Sequence, residues 1–217
     1  MKLHAEALLF DNDGTLVSSM ESVHRCWTRW AREYGITEEA FARVELHGRP
    51  AAEIIADLLP EPVRAGARDR IEALELADVP GGVVLLPGAK ELLGALPAGR
   101  WAVVTSAGRR LAEARLREAG IDFPELVAAD DVRRGKPDPE PFLLAARRLG
   151  VDPARCVVFE DAPAGLAAGR AAGMRTVALA TTHPAEELDA DVVLKDLSAV
   201  SALVEGAGVT LRTHGRE

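Results

Sequence analysis

Aromatic residues make up only 4% of this chain, cysteines number two, and no apolar run approaches the ~20 residues a membrane-spanning helix needs. Two cysteines cannot build a disulfide framework. Cys26 and Cys156 lie inside the apolar stretches "VHRCWTRW" and "RCVVFED", so a reduced, cytoplasmic setting is expected. The opening residues "MKLHAEALLFDND" lack the long apolar region and small-residue cleavage site of a secretory signal, in line with that setting and with no membrane partner. Positive charge is also short. With 34 acidic against 26 basic residues the formal charge is −8, which does not supply the basic field that draws a protein to nucleic acid. The pairs Arg109-Arg110, Arg133-Arg134 and Arg147-Arg148 read as solvated loop or helix faces. Repeats and low-complexity tracts are absent as well. The expectation is a monomer acting on a small molecule.

The 217 residues are 48% hydrophobic and 28% charged, enough to bury a substantial core. Short apolar runs recur: "ALLF" before Asp11, "WAVVT" to Thr105, "LVAA" before Asp130, "CVVF" before Glu160, "TVALA" to Ala180 and "DVVL" to Leu194. Their hydrophobicity is continuous rather than alternating, as suits strands covered on both faces of a parallel sheet. Helix-length stretches at 109–119, 140–149 and 163–172 separate them, which predicts an α/β fold with a Rossmann-like doubly wound parallel sheet. Gly165, Gly169 and Gly173 recur at helical spacing and are expected to clear one helix face for packing on the sheet. The alternation stops after the first strand. Between Ser19 and Ala77, Val23, Trp27, Trp30 and Tyr34 step by three and four, as do Ile54, Leu58 and Leu59. A helical insert over 18–85 is expected within a core of 1–17 and 86–217, hinged near 16–18 and 85–88.

The strongest chemical signal is "LLFDNDGTL", in which Asp11 and Asp13 follow a buried strand and Gly14 lets the chain turn. An EF-hand is excluded because the glycine comes too early and a strand leads in. A structural turn remains the bland reading of this segment alone. Thr105 and Ser106 end another strand, Lys136 lies in "RRGKPDPEPF", and Glu160-Asp161 end a third in "VFEDAPAG". Singly these read as a strand-end cap, a solvated loop charge and a helix N-cap. Together they lie where a parallel sheet brings its strand ends to one edge, so one pocket is expected to hold them all.

In order, "DNDGT", "VVTS", "GKPDPEPF" and "VFEDAPAG" resemble the four motifs of the haloacid dehalogenase superfamily of aspartyl-phosphate phosphatases, in the branch with a helical cap after the first motif. "HGRPAAE", "FEDAPAGLAAGRAAGM" and "VALATTH" are similar to the glycerol-phosphate, 2-deoxyglucose-6-phosphate and related sugar-phosphate phosphatases within it. The resemblance implies hydrolysis of a small sugar or polyol phosphate, with Asp11 as nucleophile and Asp13 as general acid and base. It implies Mg²⁺ held by Asp11, the Asp13 carbonyl and Asp161, with Glu160 as ligand or outer-shell group. Lys136, Thr105 and the Ser106 amide would bind the phosphoryl group, and His47, Arg49 and Glu53 of the cap would recognise the rest of the substrate. Many relatives carry Asp where this chain has Ser18, a difference confined to the hinge.

Two other functions share parts of this pattern. A phosphomutase of the beta-phosphoglucomutase type has a histidine where alignment on Trp27 puts Val23. His24 is one residue away, a rotation of about 100° on a helix. A receiver-like signalling module, which is not an enzyme, gathers similar residues but takes its phosphate on an aspartate after a later strand, where this chain has Thr105.

Overall fold

A computed structural model describes residues 2–44, 46, 48–206 and 208–214. In chain order the strands and helices are β1 (Lys2–Ala5), β2 (Ala7–Phe10), β3 (Val17–Ser18), α1 (Met20–Glu33), α2 (Glu38–Phe41), α3 (Ala51–Leu58), α4 (Glu61–Asp78), β4 (Val84–Leu85), α5 (Ala89–Gly94), β5 (Trp101–Val104) and α6 (Arg109–Glu118). They continue with β6 (Leu126–Val127), α7 (Glu140–Leu149), β7 (Cys156–Glu160), α8 (Pro163–Ala171), β8 (Arg175–Leu179), β9 (Val192–Leu194), β10 (Val200–Glu205) and β11 (Gly208–Thr213).

Six strands form a parallel sheet in the order β6-β5-β2-β7-β8-β9. Every residue of β2, β5 and β7 is buried, which explains their continuous hydrophobicity. Leu8 and Phe10 of β2 join Trp101 and Val103 in a cluster completed by Leu92 of α5 and by Leu111 and Leu116 of α6. Ala7 and Leu9, pointing the other way, pack with Phe142 and Ala145 of α7 and Ala168 of α8. The chain leaves β2 for its neighbour β5 on one side and later returns to β7 on the other. β2 is therefore the switch point, with a crevice at its carboxyl end.

Between β3 and β4 the described residues form the helices α1, α2, α3 and α4. Trp27, Trp30, Ile54, Ile55, Ala67 and Ile71 of α1, α3 and α4 form a separate hydrophobic cluster, and the Trp30 indole N–H donates to the Ala67 carbonyl at 2.8 Å. The expected hinge segments are more ordered than their sequence suggests: β3 and β4 pair antiparallel, Val17 with Leu85 and Ser18 with Val84. A three-stranded antiparallel sheet, β1-β11-β10, is a further element that the apolar runs do not reveal.

The glycine stripe of α8 requires correction. Only Gly169 serves sheet packing as expected, its missing Cβ lying 3.0 Å from Thr176 and 3.3 Å from Val158. Gly173 lies beyond the helix end at φ +74°, in the left-handed conformation that stops α8. A Cβ on Gly165 would sit 1.8 Å from a Glu160 carboxylate oxygen, so this glycine makes room for a polar side chain at the strand ends.

Candidate active site

β2, β5 and β7 run parallel, so Asp11, Thr105 and the pair Glu160-Asp161 emerge at the same edge, and the loop before α7 brings Lys136 to them. The turn after β2 is tightly hydrogen-bonded. The Asn12 carbonyl accepts from the amides of Thr15, Leu16 and Val17, and Gly14 donates to the Val17 carbonyl at 2.7 Å. Gly14 has φ +93°, and a Cβ there would lie 2.0 Å from Asp161 Oδ2. Both its conformation and its clearance demand glycine.

Lys136 is buried, and its ammonium donates to Asp11 Oδ1 at 2.6 Å, Glu160 Oε1 at 2.6 Å and the Val104 carbonyl at 2.8 Å. Burial works against this charge, but Asp11 and Glu160 more than offset it and hold the lysine above its ordinary range. Glu160 Oε2 accepts from the amides of Asp161 and Ala162 at the start of α8, at 3.1 and 3.2 Å. Both Glu160 oxygens thus have protein donors.

Asp11, Glu160 and Asp161 each present a carboxylate oxygen within 4.8 Å of the others. Burial pushes the Asp11 carboxyl well above its usual range. Lys136 opposes that shift, while Glu160 and Asp161 add to it. Thr15 donates to Asp161 Oδ1 at 3.4 Å and Thr182 to its Oδ2. Three buried carboxylates against one ammonium leave an excess of negative charge, and hard oxygen donors of this kind suit a divalent cation such as Mg²⁺.

Asp13 Oδ1 accepts from the Ser19 hydroxyl at 2.6 Å and lies 3.0 Å from Arg115 Nη1. Its Oδ2 accepts from the Asn12 amide at 3.2 Å. The Thr105 hydroxyl oxygen accepts from the Ala107 amide at 3.1 Å, which leaves its proton to donate elsewhere. Ser106 donates its hydroxyl to the Gly48 carbonyl at 3.2 Å, joining the loop before α3 to the end of β5.

Beside these groups lies a cavity of about 810 Å³, lined by Asp11, Asp13, Thr105 and Lys136 on one side and by residues of α1, α3 and α4 on the other. Arg49 and Glu53 line it too. The Arg49 guanidinium is held 2.8 Å from Asp57 and 3.8 Å from Glu53, so its charge is already partnered. His47 lies outside the described residues. Val23 faces the cavity, whereas His24 is exposed in a separate shallow groove with Arg25, Thr28, Arg29 and Arg32.

Arg115 and Glu75 lie outside the sequence motifs that mark the site. Arg115 of α6 is 4% exposed, contacts Asp13 and, through Nη2, lies 3.1 Å from Oε1 of the buried Glu75 of α4. A signal existed for each: Arg115 falls on the same stripe as Leu111, Ala112 and Leu116, and Glu75 on that of Ile71 and Leu74. A charge on an apolar stripe needs a buried partner.

A family profile described as haloacid dehalogenase-like hydrolase matches residues 5–173. Hexitol phosphatase A from Escherichia coli is 39% identical over 214 residues, spanning 95% of this chain and 98% of its own. Validoxylamine A 7'-phosphate phosphatase from Streptomyces hygroscopicus subsp. limoneus is 42% identical over 207 residues, 88% of this chain and 94% of its own. Among solved structures, CbbY from Rhodobacter sphaeroides in complex with phosphate superposes with a TM-score of 0.77 at 29% identity, covering 89% of this chain and 95% of that one.

Proposed function

The chain belongs to the haloacid dehalogenase-like hydrolase family, and from that membership we propose that it hydrolyses small sugar or polyol phosphate monoesters through an aspartyl-phosphate on Asp11. The observation that carries this reading is the buried Asp11 at the end of the central strand, hydrogen-bonded to Lys136 and grouped with Asp161. Relatives named for hexitol and validoxylamine phosphates support the substrate class.

Phosphate monoesters demand accelerations of up to ~10²¹-fold, so the site must supply both a nucleophile and dense positive charge. In the first step an Asp11 carboxylate oxygen bonds to phosphorus as the bond from phosphorus to the ester oxygen breaks, and Asp13 gives that oxygen its proton, releasing the alcohol. In the second step Asp13, now a carboxylate, takes a proton from water as the water oxygen bonds to phosphorus. The Asp11–phosphorus bond breaks, and inorganic phosphate leaves. Lys136, engaged at Asp11 Oδ1, orients the nucleophile and meets the phosphoryl charge. Thr105 and the Ser106 amide donate to phosphoryl oxygens.

Asp11, the Asp13 carbonyl and Asp161 would hold Mg²⁺, which supplies the positive charge that lowers repulsion between the nucleophile and the phosphoryl oxygens. We assign Glu160 to the outer shell, because Lys136 and two amides engage its oxygens. We assign residues 18–85 to a cap on a core of 1–17 and 86–217, with Arg49 and Glu53, which line the cavity, as the cap groups that meet the leaving group. Val23 at the cavity and His24 in its outer groove argue against the phosphomutase.

The test is phosphate release from hexitol phosphates, glycerol phosphates, hexose 6-phosphates and 2-phosphoglycolate, compared by kcat/KM with Mg²⁺ and with EDTA. A polyol or sugar phosphate should lead, and EDTA should abolish turnover. Release from none of them, or turnover undiminished by EDTA, overturns the reading.

A further inference from the structure

We propose that Arg115 positions the Asp13 carboxylate and that Glu75 divides the Arg115 guanidinium so that only one Asp13 oxygen is engaged, making proton transfer depend on where α4 sits. The inference rests on the acid/base role given to Asp13 above.

Arg115 reaches Asp13 Oδ1 with Nη1 and Glu75 Oε1 with Nη2, and its Nε is buried with no partner among the described residues. The Trp27 side chain of α1 also favours the charged form of Glu75. Burying an arginine and a glutamate against each other is costly compared with an apolar pair of the same volume, so packing alone does not account for them. Among the described residues, no hydrogen bond or ion pair of Arg115 or Glu75 reaches Asp11, Lys136 or Glu160. What they share is Asp13.

Ser19 and Arg115 both act on Oδ1, which leaves Oδ2, hydrogen-bonded among the described residues only by the Asn12 side-chain amide, as the oxygen that carries the working proton. A guanidinium facing a lone carboxylate prefers to bind both oxygens at once. With Glu75 withdrawn, Nη2 is released to take Asp13 Oδ2, and the acid is silenced. With Glu75 in place, Nη2 is held and Oδ2 is left to the substrate. Because α4 lies in the helical insert and α6 in the core, the arrangement permits proton transfer only when the two are docked, which is also when the cavity is enclosed.

The experiment compares Glu75→Gln, Arg115→Met and the double variant, first confirmed as folded by thermal unfolding. Each is assayed on the best polyol phosphate and on p-nitrophenyl phosphate, whose leaving group needs no proton. Glu75→Gln should lower kcat on the polyol phosphate about ten- to a hundredfold, the range for one charge-assisted hydrogen bond. With p-nitrophenyl phosphate it should give a rapid burst of nitrophenolate, of about one equivalent per site, and then slow turnover as the aspartyl-phosphate accumulates, since only the second step requires Asp13. Glu75 acts through Arg115, so the double variant should be no slower than Arg115→Met alone.

Losses that multiply in the double variant overturn the proposal. So does a first turnover slowed equally on both substrates, the mark of a structural defect. Phosphate-ester hydrolysis absent from the wild type would instead remove the proposed function, and this inference with it. Normal wild-type turnover combined with either of the first two results leaves that function standing.

Discussion

Replacing Lys136 with Met should destabilise the metal-free protein more than almost any other single change. The ammonium has a 3% exposed side chain and links Asp11, Glu160 and the Val104 carbonyl. Methionine fills similar volume but leaves three clustered carboxylates without their cation. Breaking a buried ion pair from one side costs about 3–5 kcal/mol. In a chain of this size each kcal/mol moves Tm by about 2–4 °C, so the loss should be roughly 6–20 °C at pH 7 in EDTA. Its pH dependence is the sharper test. Burial raises both Asp11 and Glu160 above the ordinary carboxylate range even with Lys136 opposing it, and the substitution removes that opposition. The folded variant therefore binds more protons than the unfolded chain at pH values above about 4, up to the raised folded values, and its stability falls as pH rises through that window. Thermal melts from pH 7 to pH 5 should show the deficit shrinking as the carboxylates protonate. A Tm within about 2 °C of wild type at pH 7 would refute the reasoning, as would a deficit that widens on acidification.

Asp11→Asn should abolish turnover because an amide is a poor nucleophile, and acid quenching should trap no aspartyl-phosphate. Gly14→Ala places a methyl against Asp161 Oδ2 at a φ of +93°, so Mg²⁺ affinity by calorimetry should fall about tenfold or more; unchanged affinity would show that Asp161 has room to move. Arg49→Ala should lower kcat/KM about tenfold or more on the best polyol phosphate while leaving p-nitrophenyl phosphate much less affected. Equal losses would assign Arg49, through Asp57, to holding its loop.

The central strands were legible in sequence because each is covered on both faces, so "ALLF" and "CVVF" had no reason to alternate. The helices at 109–118, 140–149 and 163–171 follow from their periodicity and flanking signals to within a residue or so. β1 was not legible: it is four residues long, with Lys2 and His4 exposed and Leu3 and Ala5 buried, and its partner lies at the other end of the chain. β3 and β4 have two residues each and exist only through their pairing, which no local pattern encodes. In the site, Asp11, Thr105, Lys136 and Asp161 stand next to apolar runs or turn residues that mark strand ends. Arg115 and Glu75 lie inside helices 40 positions apart, and their meeting depends on how α4 packs on α6. Their only local trace is polarity on an apolar face.

The β3–β4 ladder gives the helical insert the architecture of a cassette. Its two ends leave and rejoin the core at directly paired residues, Ser18 opposite Val84, with the Leu86 amide donating to the Leu16 carbonyl at 2.9 Å just inside. Strands paired in this way lie about 4.5–5.5 Å apart whatever is spliced between them. A different helical segment can therefore be spliced in at this junction without altering the path of β2. The whole insert can equally be replaced by a two-residue Asn-Gly hairpin, whose geometry suits an antiparallel pair. Such a miniature would keep Asp11, Lys136 and Asp161 while shedding one wall of the cavity together with Ser19 and Glu75, so that the cluster of strand-end residues could be studied apart from the groups the insert brings to Asp13.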